Sequence, residues 1–210
     1  MNILKPQKMS LYGLKKEKIL DIKENEDIDY CIFENEKCND IELWELELEH
    51  CRFNNICMQN AKLENITFRD VIFENCDFSN TKFIETTFIR CEFNNCKLSG
   101  CDMSENRLYN ILLLETNASY INLSMASIEN ILFKDTNLRN SYFQETKVKN
   151  IYFNNANLIQ AQFFKTSLKD VDLSSSIIEG IGITIEDIKG AVINQLQSID
   201  LLYLIGVKVK

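Results

Sequence analysis

Residues 66–95 read ITFRD VIFEN CDFSN TKFIE TTFIR CEFNN, six consecutive pentapeptides with a phenylalanine at the third place of each. Phe68, Phe73, Phe78, Phe83, Phe88 and Phe93 therefore recur every five residues. That period is neither the 3.6 of an amphipathic helix nor the 2 of a flat strand. The series extends both ways without slipping: upstream through Leu63, Met58, Phe53, Leu48, Leu43, Cys38 and Phe33 to Ile28, downstream from Leu98 to Leu173. Of thirty centres, 28 are Ile, Leu, Phe, Met or Val, and twelve of the thirteen phenylalanines lie in this register. A period held this long makes the repeat the fold's organising unit.

Two other positions keep the same phase. Two residues before each centre stands a smaller side chain, as at Cys51, Ile56, Ala61, Val71, Cys76, Thr81, Cys91, Cys96 and Cys101, which reads as a second inward position. Two residues after the centre, asparagine is favoured, as at Asn55, Asn60, Asn65, Asn75, Asn80, Asn95, Asn110 and Asn130. Asparagine tolerates turn geometry and bonds to neighbouring backbone, so the pattern is short straight edges joined by a corner every five residues.

These residues resemble the pentapeptide-repeat family, whose motif A(D/N)LXX is matched by Ala156-Asn157-Leu158 and, more loosely, by Cys76-Asp77-Phe78. The resemblance covers residues 28 to about 183. It implies an all-β fold, a right-handed quadrilateral β-helix with four pentapeptides per coil, so that columns repeat every twenty residues. Phe33, Phe53, Phe73, Phe93, Leu113, Phe133, Phe153 and Leu173 form one such column. Thirty repeats give a rod of roughly 36 Å at about 4.8 Å per coil. Residues 1–25 lie outside the register and are expected to cap the first coil, with residues 26–190 forming the β-helix. Residues 191–210 are expected to form a C-terminal helix and tail: Asn194 as N-cap, a helix over 195–205, Gly206 as its stop and Val207–Lys210 extended.

Formal charge is −8 over 210 residues and is unevenly placed. Residues 21–80 hold sixteen acidic and five basic side chains, a net of −11. Direct binding to nucleic acid or to an anionic membrane surface is disfavoured by repulsion, and a basic partner is favoured. The absence of a long apolar run or signal-peptide pattern reads as cytoplasmic. The eight cysteines follow the repeat and read as reduced, buried thiols; Cys76 should stack on Cys96. Five-residue spacing spreads Cys91, Cys96 and Cys101 over different faces, unlike a zinc site. His50 is the only histidine and has no second base beside it, and no glycine-rich phosphate loop occurs, so the sequence calls for no catalytic residue, metal or cofactor.

The ending Ile188-Lys189-Gly190-Ala191-Val192, followed by a Leu-rich helix and Gly206-Val207, resembles that of Qnr and MfpA-type members. The resemblance implies a homodimer joined through the C-terminal helix, with Leu196, Ile199, Leu202 and Tyr203 at its interface. It also implies an acidic rod that mimics DNA and binds DNA gyrase or topoisomerase IV, protecting them from fluoroquinolones. The carboxylates expected to meet such a partner are Glu42, Glu45, Glu47, Glu49, Glu64, Asp70, Glu74, Asp77, Asp170 and Asp172. The alternative is a protein-interaction scaffold or toxin immunity factor without mimicry, which would use an outward stripe of Leu112, Leu132 and Tyr152. Trp44, Tyr109 and Phe164, each directly after a centre, should also point outward.

Overall fold

The computed structural model describes residues 3–7, 13–24 and 26–207. Its strands are β1 (Lys15–Lys16), β2 (Asp27–Asp29), β3 (Cys31–Glu34), β4 (Glu42–Glu49), β5 (Arg52–Asn54), β6 (Lys62–Arg69), β7 (Ile72–Glu74), β8 (Lys82–Ile84), β9 (Thr87–Asn94), β10 (Arg107–Leu114), β11 (Ser127–Lys134) and β12 (Lys147–Asn154). All pair in parallel, and between repeat strands the partner is twenty residues away, as in Phe33↔Phe53↔Phe73↔Phe93. The chain is thus a β-solenoid of about seven turns with a short helical ending. We call the four faces of a coil first to fourth, by their centres Phe33, Cys38, Leu43 and Leu48. The second face pairs only through isolated bridges, such as Cys57↔Asp77↔Lys97.

Corners explain why the period is five. Every corner from Tyr30 to Asp170 has positive φ, between 49° and 62° for the non-glycine residues and 69° at Gly100. A left-handed conformation costs an ordinary L-residue about 1–2 kcal/mol, and Asn or Asp least because the short side chain bonds locally. Sixteen of these twenty-nine corners are Asn or Asp. Their carboxamides also bond from coil to coil: Asn55 donates to Asn35 (3.0 Å), Asn95 to Asn75 (2.8 Å) and Asn150 to Asn130 (2.8 Å).

The interior is filled by the centres and the residues two before them. Phe73 stacks between Phe53 (centroids 5.1 Å apart) and Phe93 (4.6 Å), with Phe68 and Phe78 edge-on. The smaller inward position has a polar task as well. Cys76, Cys91 and Cys96 donate their thiols, and Thr81, Thr116 and Thr136 their hydroxyls, to the carbonyl of the centre twenty-three residues earlier. Small residues with one weak donor therefore suit that place, and all eight cysteines are free thiols.

The stack runs further than the thirty-centre series. Ile178 and Ile183 are buried in the same core, and Ile188 and Ile193 pack against it. The one-turn helix α1 (Ile185–Ile188) replaces part of the last fourth face. The ending departs from the expected eleven-residue helix: α2 spans only Gln197–Leu201, followed by a 3-10 turn over Leu202–Ile205. Gly206 stops it at φ 74°. Asn194 caps as expected, its Oδ1 accepting the Gln197 N–H (3.0 Å) while Gln197 Oε1 accepts the Asn194 N–H (2.7 Å). The Gln197 amide reaches into the rod and donates to the carbonyls of Leu173 (2.8 Å) and Ser176 (2.6 Å), closing backbone acceptors the last coil would leave open. At the other end, Ile19 is buried in the core, with its N–H on the Glu36 carboxylate. Met1, Asn2, residues 8–12 and Asn25 of the expected N-terminal cap, and Lys208–Lys210 of the expected tail, lie outside the described residues.

Candidate functional site: an acidic end and an apolar end

The structure sorts the ten expected carboxylates by their neighbours twenty residues away. Glu42, Glu45 and Glu47 are exposed, flank the corner at Glu45, and take part in no ion pair among the described residues. Asp27 and Asp29 stack on them, with Asp27 in register with Glu47 and Asp29 with Glu49. These two acids were absent from the expected set although they lie at the twenty-residue step. The remaining acids are shielded: Glu49 faces Arg69 (3.7 Å), Glu64 faces Lys62 (2.5 Å), Glu74 takes Arg52 (2.5 Å) and Asp77 takes Lys97 (3.5 Å). Asp77 is bonded further by Ser79 and Gln59; burial alone would raise its carboxyl, but these bonds and Lys97 hold it below its ordinary value. Asp170 and Asp172 are exposed but lie six to seven coils away, about 30 Å along the rod.

Asp70 is a correction: it is fully buried and is not a surface carboxylate. Arg90, one coil further at the same corner, grips it with Nε (2.7 Å) and Nη2 (2.5 Å), and the Gln7 N–H donates to Oδ1 (3.0 Å). Burial alone would raise the Asp70 carboxyl, but the Arg90 and Gln7 bonds and the Arg90 charge outweigh it and hold the group below its ordinary value. His50 lies at the same corner one coil earlier, stacked on Tyr30 (centroids 4.6 Å apart) with Nδ1 3.0 Å from Asp29. Glu49, His50 and Asp70 bring ligand-type atoms near one another, but Asp70 is already committed to Arg90.

The outward stripe is also corrected. Leu112 and Leu132 are 3 % and 7 % exposed, although they lie outside the interior cluster, and Tyr152 is half-buried. Residues 3–7 pass close by, at Asn110. They run along the corner between the fourth and first faces, from Gln7 on Asp70 to Leu4, whose N–H donates to Asn110 Oδ1 (3.3 Å), with Pro6 buried between them. Trp44 and Phe164 do point outward, and Tyr109 is half-buried.

The C-terminal end is apolar. Leu196, Ile199 and Tyr203 are 77 %, 53 % and 48 % exposed, and Ile205 and Val207 lie exposed beyond them. Leu202 is half-buried, while Leu201 and Leu204 face the core. Tyr203 is held to its own chain, its hydroxyl donating to the Ile181 carbonyl. No helix among the described residues is long and apolar enough to cross a membrane.

Comparison with known proteins fits this geometry. The family profile "Pentapeptide repeat region" matches residues 66–139 and 86–163, and "Pentapeptide repeats (8 copies)" matches residues 47–83. No curated protein matches the chain. Among solved structures, full-length QnrB1, a plasmid-mediated fluoroquinolone resistance protein, is 17 % identical over 92 % of this chain and 95 % of its own, with a TM-score of 0.38. HetL, a pentapeptide repeat protein involved in heterocyst differentiation regulation in the cyanobacterium Nostoc, is 14 % identical over 82 % and 91 %, with a TM-score of 0.29. A pentapeptide repeat protein of the Arabidopsis thaliana thylakoid lumen is 18 % identical over 55 % and 67 %, with a TM-score of 0.34. These neighbours differ widely in role, and what the sequence profiles and the coil geometry share is the repeat: the chain belongs to the pentapeptide-repeat family.

Proposed function

We propose that this protein is a binding rod that mimics DNA toward type II topoisomerases, DNA gyrase or topoisomerase IV, and protects them from fluoroquinolones. The observation that carries the reading is the charge density of the first coils. Residues 21–80 carry a net −11. Three of the acids there, Glu34, Asp70 and Asp77, pair with Lys16, Arg90 and Lys97 from outside the stretch, leaving −8, and three coils at about 4.8 Å each make this one negative charge per roughly 1.8 Å, against about 1.7 Å for B-form DNA. A surface arranged to hold phosphates attracts such a rod, and a row of carboxylates offers it no cleavable bond. Asp27, Glu42, Glu45 and Glu47 are the exposed core of that charge.

The apolar ending supports the second half of the proposal, a homodimer through the C-terminal helix. Leu196 and Ile199 need cover that the described residues do not supply. Two rods joined there would span roughly 70 Å, about twenty base pairs at 3.4 Å each, with an acidic end at either extremity. The test is gyrase supercoiling with and without ciprofloxacin across a titration of the protein. Protection by the native chain, lost on combining Glu45→Lys and Glu47→Lys, is the expected result. Absence of both gyrase binding and any change in drug inhibition sinks the reading.

A further inference from the structure

The coil stack is continuous on two faces and parted on the other two. β12 ends the main sheet order, paired with β11 and with no strand beyond it, although the rod continues. On the second and third faces the next coil is joined normally: Leu158 N–H donates to Ile177 O (2.8 Å) and Phe163 N–H to Gly182 O (2.6 Å). The same bonds on the fourth and first faces would run from Val148, Asn150 and Phe153 to the carbonyls of Ser167, Lys169 and Asp172. None forms, and no backbone bond joins 147–154 to 167–175. The lower lip bonds onward instead, with Asp170 N–H on Gly190 O (3.1 Å) and Leu173 N–H on Val192 O (2.8 Å).

Side-chain hydroxyls mark the limits of the gap. Thr146 N–H donates to Thr166 Oγ1 (3.0 Å) at one margin, and Asn155 and Ala156 N–H to Ser175 and Ser176 Oγ (3.2 and 3.1 Å) at the other. Between them opens a cleft of about 750 Å³, lined on one lip by β12 and on the other by Ser167, Lys169, Asp170 and Asp172.

We propose that this cleft binds an extended polypeptide segment of a partner protein by strand addition to β12. Among the described residues, the Val148, Asn150 and Phe153 N–H groups on one lip and the Ser167, Lys169 and Asp172 carbonyls on the other have no partner, and only an extended backbone supplies donors and acceptors in alternation along such an edge. Charge adds no strong preference: Lys149 is held by Glu129 of β11 (2.5 Å), and Lys169 shares its lip with the exposed Asp170 and Asp172. The proposal is independent of the acidic end, which lies about five coils away.

The probe is a capped synthetic peptide with the sequence of β11, SIENILFK, which already pairs in parallel with the opposite edge of β12. Its control has alternate amides N-methylated, which keeps the side chains and removes main-chain donors. Amide hydrogen exchange on the full chain reads the result. In the free protein, Val148, Asn150 and Phe153 should exchange at least about tenfold faster than Ile128, Asn130 and Phe133 one coil earlier, and saturating peptide should slow them by at least about tenfold. The methylated peptide should leave them unchanged. Equal protection of the two coils in the free protein, no slowing by the peptide, or equal slowing by the methylated control would each overturn the proposal.

Discussion

Replacing Asp70 by asparagine removes one charge and little volume, and it tests whether the buried corner acid fastens the N-terminal arm. Asp70 accepts two bonds from Arg90 and one from Gln7 while having no exposed surface. Breaking a fully buried ion pair costs about 3–5 kcal/mol, because the remaining charge is left without a partner. Arg90 retains 25 % side-chain exposure and can recover part of its hydration, and asparagine still offers one acceptor, so Asp70→Asn should cost about 2–3 kcal/mol at pH 7. A repeat stack answers locally, so the loss should appear in hydrogen exchange of Gln7 and of the Asp70 and Arg90 coils before it appears in global unfolding.

The pH dependence follows from the sign of the shift. The folded Asp70 carboxyl is held below its ordinary value, so its contribution is complete above the unfolded value of about 3.9 and is lost as pH falls through the lower folded value. The difference between native chain and variant should therefore shrink below about pH 4. Asp77 and Asp172, also lowered, titrate in both proteins and cancel in the difference. A variant with native exchange at Gln7, or a difference that persists unchanged at pH 2, refutes the reasoning.

Three further outcomes are expected. Burial pushes the Cys51 and Cys91 thiols up to about 12, and Cys57 is the one cysteine of eight that is not buried; iodoacetamide at pH 8 should label Cys57 first, as peptide mass spectrometry will show. Gln197→Ala strips the donors from the Leu173 and Ser176 carbonyls and the side-chain acceptor from the Asn194 N–H, and should cost about 2 kcal/mol, read as faster exchange at Asn194 and in the last coil with the N-terminal coils unchanged. Leu196→Asp with Ile199→Asp should convert a dimer to a monomer in sedimentation without loss of β-structure, and a native chain that already sediments as a monomer refutes the dimer.

The fold was legible because each sequence position has one task in every coil. The centre fills the interior, the residue two before fills it and donates a bond, and the residue two after bends left-handed; asparagine at the last is a direct trace of positive φ. Where one task changes hands the reading falters. After Leu173 the corners pass to Ser175, Gly180 and the α1 turn, and the series was ended there although Ile178 and Ile183 still occupy the core. The C-terminal helix was read too long because its apolar spacing continues through Leu204, where the chain has already tightened into a 3-10 turn that brings Tyr203 onto Ile181.

The surface obeys a different arithmetic, and this is why the site was read less well than the core. An outward side chain meets its partner at twenty residues, not at five: Asp70 with Arg90, Glu129 with Lys149, Glu145 with Lys165. Applied to the acidic run, that step accounts for some of the shielding, while Glu64 takes Lys62 of its own strand and Glu74 takes Arg52 on the diagonal. Glu47 stands on Asp27 and Thr67 and stays free, whereas Glu49 stands on Arg69 and Asp77 on Lys97. Neither period could foretell the path of the arm, Ile3 to Gln7, which has no repeat and whose place is fixed by backbone N–H groups on Asn110 and Asp70. The same holds for the parted coils, where the inward Thr166 and Ser176 and the corner Ser175 accept main-chain N–H bonds, as Thr116 does from Cys96 where the coils are joined, so that no residue type marks the gap. Surface charge in a four-sided coil is therefore a property of columns, and a partner of the kind proposed would meet Asp27, Glu42, Glu45 and Glu47 rather than the −8 of the whole chain.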